Sequence, residues 1–231
     1  MLEHVFSRSV IGDPHVGALQ GSLFGFESPN VDTTFAGIER IELAGGAWID
    51  LLPGWLHGAD VVFQELVDRL TWRQHTVPMY DRYVEEPRLT SWWTEAAGPE
   101  PMAVLSTARH ALSRHYGRKF GSIGCNLYRD GRDSVAWHGD RLIEKYDANV
   151  AILSVGEPRA LQLRPAPGCP ASAGARSMSF ALGEGTLFVM GGTCQATWQH
   201  SVPKTSRHVG PRMSITFRHD SLGRRSRTRP T

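Results

Sequence analysis

The spacing of apolar residues changes character near Gly121. Before it, Ala59, Val62, Phe63, Leu66, Val67 and Leu70 recur at intervals of three and four, as do Met102, Leu105, Ala108 and Leu112. That period belongs to helices that bury one face. Two amphipathic helices are therefore predicted, the second ended by Gly117, which can take the left-handed conformation of a helix terminus. After Gly121 the apolar runs shorten to residues 122–129, 134–140, 148–155, 159–164, 177–182, 185–191, 195–202 and 211–218, set apart by Gly and Pro. Each reads as a strand. In the last, Met213, Ile215 and Phe217 alternate with Arg212, Ser214, Thr216 and Arg218, so one face is apolar and the other carries two arginines.

Many short strands with two helices predict an α+β, mainly β protein: a sandwich, jelly roll or barrel buttressed by helices, with the choice among them left open. No Pro/Ser-rich linker marks the change at Gly121, so residues 46–220 read as one domain. Residues 1–45 mix Gly, Pro, Ser and Asn with isolated apolar residues and read as an arm wrapping the core. The Pro/Ala/Gly stretch 165–176 reads as a loop between strands.

Composition narrows the class. The chain has 231 residues, 41% hydrophobic and 21% charged, as expected of a globular protein rather than a disordered one. It lacks both a long apolar run and a basic segment leading into one, which argues against membrane spanning and secretion. Three cysteines, Cys125, Cys169 and Cys194, are odd in number and show no C-x-x-C spacing. This suggests neither a disulfide framework nor a cysteine zinc site, and a reducing cytosol fits best. The net charge of +2 depends on Ser221–Thr231, whose four arginines stand without an acid. That segment is expected to be a disordered basic tail, and the charge alone identifies no nucleic-acid binder.

Chemistry enters at Val135–Asp140, VAWHGD. On an extended strand His138 and Asp140 share a face, and His200 on another strand could join them. Two imidazoles and a carboxylate form a facial set that suits Fe(II) with open positions. Alone, an H-x-D pair among ten histidines belongs as readily to a solvated strand end. The arginine face of the last strand adds weight, because guanidinium groups turned inward need anionic partners. A dicarboxylate such as 2-oxoglutarate has an anionic group at each end, one for a metal and one for a bidentate guanidinium. Asn126 and Tyr128 face one way on a further strand.

Three segments, GCNLYRDGRDSVAWHGD (124–140), GTLFVMGGTCQATWQH (185–200) and SVPKTSRHVGPRMSITFR (201–218), carry N-x-Y, H-x-D, H and R-x5-R in order. With EEPRLTSWW (85–93), they resemble the AlkB family of Fe(II)/2-oxoglutarate-dependent dioxygenases over about residues 45–220. The resemblance implies a double-stranded β-helix of jelly-roll type. It implies His138, Asp140 and His200 as iron ligands, Asn126, Tyr128 and Arg212 as 2-oxoglutarate contacts, and Arg218 near the metal-side end of that cosubstrate. The activity it implies is oxidative removal of N-methyl groups from damaged nucleic-acid bases, consuming O2 and 2-oxoglutarate and releasing formaldehyde, succinate and CO2, as in DNA repair.

Alkylated DNA or RNA, single-stranded or with a flipped base, is then the expected partner, and no obligate protein partner is inferred. Residues 72–93 would form the nucleotide lid, with Tyr80, Tyr83, Arg88 and Trp92 as substrate contacts, although Trp92 and Trp93 suit core packing as well. One departure bears on base choice: Leu142 stands where several nucleic-acid demethylases of this type carry an acid. Two other classes stay open, a 2-oxoglutarate oxygenase acting on a protein or small molecule and a non-catalytic or zinc-holding β domain.

Overall fold

A computed structural model describes residues 28–79, 82–140, 142 and 146–219. In chain order the elements are β1 (Asn30–Val31), β2 (Glu39–Glu42), β3 (Ala47–Leu52), β4 (Leu56–His57), α1 (Ala59–Arg69), β5 (Thr76–Met79) and β6 (Arg82–Glu85). There follow β7 (Leu89–Thr94), α2 (Ala103–Tyr116), β8 (Phe120–Tyr128), β9 (Val135–His138), β10 (Val150–Gly156) and β11 (Arg159–Pro165). The last are β12 (Met178–Leu182), β13 (Thr186–Gly192), α3 (Cys194–Thr197), β14 (Trp198–Val202) and β15 (Arg212–His219).

Two antiparallel sheets carry the fold. The major one runs β2-β3-β13-β10-β15-β8-β7 and the minor one β12-β11-β14-β9. They face each other as a jelly roll, the double-stranded β-helix expected from the resemblance. Strand periodicity sorts side chains into two apolar layers. In β10, Val150 and Ile152 point between the sheets, where they join Leu161, Leu163, Phe188 and Trp198. Ala151, Leu153 and Val155 point the other way, onto Phe63 and Leu66 of α1 and Leu105 and Leu112 of α2. Burying each Val, Leu, Ile or Phe side chain among these stabilises the fold by about 1.5–3 kcal/mol. Gly117 closes α2 at φ 63°.

Three sequence expectations change. Of the expected arm, residues 28–45 contain β1 and β2, and β2 is an edge strand of the major sheet; residues 1–27 lie outside the described residues, as does the tail 221–231. The expected strand 195–202 begins as a helical turn, because α3 precedes β14. The expected lid divides: β5 and β6 form a separate hairpin, whereas β7 is the major sheet's other edge. No helix among the described residues is long and apolar enough to cross a membrane.

Candidate active site

The polar ends of the inter-sheet space converge on one cavity, lined by His138, Asp140, His200, Asn126, Arg212 and Arg218 among others. His138 reaches it through an irregularity. It pairs with His200, while Val135 pairs with Val202, so β9 spends one residue more than β14 over the same length. Such a bulge turns both Val135 and His138 inward. Trp137 lies instead against Arg164, whose guanidinium carbon is 4.5 Å from the ring centroid.

His138 Nδ1 donates to the Ala136 carbonyl at 2.8 Å. That bond fixes the tautomer and leaves the Nε2 lone pair for a metal. Nε2 lies 3.5 Å from Asp140 Oδ1, and His200 Nε2 lies 3.9 Å from the same oxygen. All three ligand atoms fall within 4.8 Å of one another. The carboxylate's other oxygen is taken: Arg218 Nε donates to Oδ2 at 2.7 Å. The Asp140 backbone N–H donates to Gln195 Oε1 at 2.8 Å.

Burial opposes ionisation of Asp140, but Arg218, His138 and His200 outweigh it and hold the carboxyl far below the usual range. Burial likewise pushes His200 down to about 3, with His138 and Arg218 adding to it and Asp140 opposing. A neutral imidazole beside a carboxylate is the state that binds a divalent cation.

At the other end Arg212 is 1% exposed. Its Nε donates to Ser154 Oγ at 3.1 Å, and neither terminal nitrogen has a hydrogen-bond partner. Burial pushes this guanidinium below the ordinary arginine range, with Tyr128 opposing and Arg159 reinforcing the shift. Asn126 and Tyr128 line the same wall, and Asn126 Oδ1 accepts from Arg88 Nε at 3.3 Å. A metal-ligand set at one end and two orphaned guanidinium nitrogens at the other fit a divalent ion with a dianionic diacid. The inward arginine is the feature a structural zinc site would not need.

Of the expected substrate contacts, Arg88 lines the cavity and its Nη2 also meets Glu86 Oε2 at 3.0 Å. Tyr83 on β6 is 78% exposed and Trp92 on β7 is 54% exposed, whereas Trp93 is buried. Tyr80 lies outside the described residues. Leu142 packs against the inter-sheet apolar layer.

Sequence reasoning missed three residues here. Gln195 gave no signal. A Cβ on Gly139 would sit 2.7 Å from the Gln195 carbonyl oxygen, and one on Gly124 would sit 2.6 Å from Trp92 Cζ3. Glycine is required at both by close approach, which no local pattern reveals.

These features together define an iron- and 2-oxoglutarate-dependent oxygenase, and residues 53–218 match the 2OG-Fe(II) oxygenase superfamily. The chain is 33% identical over 201 residues to human alpha-ketoglutarate-dependent dioxygenase alkB homolog 3, covering 79% of this chain and 70% of that protein. It is 27% identical over 177 residues to the bovine DNA oxidative demethylase ALKBH2, covering 69% and 64%. The chain therefore belongs to the AlkB family of Fe(II)/2-oxoglutarate-dependent dioxygenases, whose cofactor is Fe(II) and whose cosubstrates are 2-oxoglutarate and O2. In fold alone it is similar to OsALKBH1, with TM-score 0.54, 12% identity and coverage of 80% of this chain and 100% of that one. A Trichoplax adhaerens prolyl hydroxylase solved with a hypoxia inducible factor peptide fragment gives TM-score 0.54 at 9% identity, over 74% and 83% of the two chains.

Proposed function

We propose that this dioxygenase removes N-alkyl groups, methyl above all, from damaged nucleic-acid bases, in single strands or with the base flipped out. Its relatives' activities, alkB homolog 3 being named a dioxygenase and ALKBH2 a DNA oxidative demethylase, support the reading. The observation that carries it is the mouth. Arg88 joins the cavity wall through Asn126, and exposed rings stand on the neighbouring strands at Tyr83 and Trp92. Flat faces and cations are what an unstacked base needs, each stacked base gaining about 1–3 kcal/mol.

In this reading His138, Asp140 and His200 hold Fe(II). Asn126 and Tyr128 line the cosubstrate, the orphaned nitrogens of Arg212 take its 5-carboxylate, and Arg218 braces the metal end. Fe(II) held there with 2-oxoglutarate and O2 would supply the oxidation that hydroxylates an N-alkyl carbon, with succinate, CO2 and, from a methyl group, formaldehyde as the products. The chain supplies geometry: Gln195 and Arg218 fix Asp140, and the apolar layer around Leu142 keeps water from that side. With Leu142 in the place of an acid, base selection rests on Arg88 and the rings, Tyr80 included. We assign the catalytic unit to residues 46–220 and the site of action to a reducing cytosol, where Cys125, Cys169 and Cys194 remain free thiols.

The test is a panel of singly methylated single- and double-stranded oligonucleotides, with iron and 2-oxoglutarate omitted in turn. Methylated strands should stimulate succinate and formaldehyde equally. Succinate without formaldehyde would turn the reading toward a protein or small-molecule substrate.

A further inference from the structure

Arg218 poses a problem that Trp92 answers. Its Nε is committed to Asp140 Oδ2 at 2.7 Å, while its Nη1 is buried without a hydrogen-bond acceptor. The Trp92 ring lies over that guanidinium, 5.0 Å from centroid to central carbon. Trp92 pairs across β7 and β8 with Gly124, and the space a Gly124 Cβ would fill is occupied by Trp92 Cζ3 and, at 2.8 Å, by Arg218 Nη1. The missing side chain lets the indole and the guanidinium meet over bare backbone. An aromatic face accepts both the charge and an N–H of an arginine.

Building on the reading of His138, Asp140 and His200 as metal ligands, we infer that Trp92 is a positioning residue that clamps Arg218 onto Asp140 and so orients the metal-binding carboxylate. The clamp explains three separate facts: a glycine in the middle of a strand, a buried N–H with no acceptor, and a tryptophan half in water at a sheet edge. It also limits substrate stacking on Trp92 to surface the guanidinium leaves free. The inner part of the indole serves Arg218. Asp140 then presents Oδ1 to the imidazoles because Oδ2 is held from behind.

The experiment titrates the metal-free full-length chain with Co(II), followed by calorimetry and visible absorption, in the wild type, Trp92→Leu, Trp92→Phe, Arg218→Lys and the Trp92→Leu/Arg218→Lys pair. Trp92 is half exposed, so melting temperatures should stay close to wild type. Trp92→Leu should weaken Co(II) binding by about three- to tenfold and alter the visible bands, and Trp92→Phe should restore both. In the Arg218→Lys background, which removes Nη1, Trp92→Leu should cost nothing more. Wild-type Co(II) affinity and bands in Trp92→Leu, or losses that simply add in the double variant, would overturn the clamp. Should Trp92→Leu melt early, Trp92→Phe matched against Arg218→Lys decides the question, because only the ring-retaining variant should keep the bands. A wild-type chain that fails to take one Co(II) would sink the metal reading, leaving Trp92 as a substrate contact.

Discussion

Arg212 shows how one residue's stability can be exchanged for binding. A guanidinium buried with two nitrogens unpaired is costly, and no carboxylate among the described residues pairs with it. The cost is tolerable only if a ligand supplies the missing anion. Arg212→Met, which keeps length and removes charge, should therefore melt no lower than wild type without 2-oxoglutarate. The same substitution should weaken 2-oxoglutarate binding by roughly tenfold to a hundredfold, the worth of a charge-assisted hydrogen bond. Thermal shift with and without 2-oxoglutarate reads both effects; a cosubstrate-induced shift that survives in the variant would move the anchor elsewhere. Arg212 was legible in the sequence because strict alternation put it opposite Met213 and Ile215, turning a charge inward. Gly124 and Gly139 were not, since their contribution is an absence of volume beside residues 32 and 56 positions away in the chain, Trp92 and Gln195.

At the scale of elements, legibility follows how each strand is buried. The half after Gly121 was readable because β10 and β13 are apolar runs buried on both faces and β15 alternates. In the first half, β3 is also buried on both faces, but Asp50 interrupts its apolar run; there the carboxylate takes Arg40 at 2.7 Å and the Tyr116 hydroxyl at 2.9 Å. β2, ERIE, is an exposed edge that resembles a loop in composition. The bulge in β9 was invisible for another reason. It is set by pairing with β14, so the inward turn of His138 depends on a partner 62 residues on. Where β9 gives way to Asp140, the chain passes so close to α3 that only glycine fits. Gly139→Ala should force that crossing apart, lowering stability by about 1–3 kcal/mol. Urea unfolding would measure the loss, and the Co(II) titration should show weaker binding as Asp140 leaves Gln195. Unchanged affinity would mean the Gly139 crossing has no bearing on the ligand geometry.

Across the whole molecule, the major sheet separates two apolar layers, one toward the helices and one toward the minor sheet, and each holds a cysteine. Cys125 lies in the first and Cys194 in the second. Burial pushes both thiols up to about 12, leaving on the order of one thiolate in ten thousand at pH 8. Cys169, half-buried in the loop after β11, differs. Burial raises its pKa, but the Ser172 hydroxyl and the N–H groups of Ala171 and Ser172 together outweigh that and bring the thiol below its ordinary value. Iodoacetamide at pH 8 should therefore label Cys169 alone in the native protein, with Cys125 and Cys194 following only on denaturation. Peptide mass mapping over time would follow each. Cys194 carries the most information, because it opens the helical turn that presents Gln195 to Asp140. Native labelling of Cys194 at a rate near that of Cys169 would mean the inter-sheet layer stands open beside His138, Asp140 and His200, and the packing that fixes the Asp140 carboxylate would have to be abandoned.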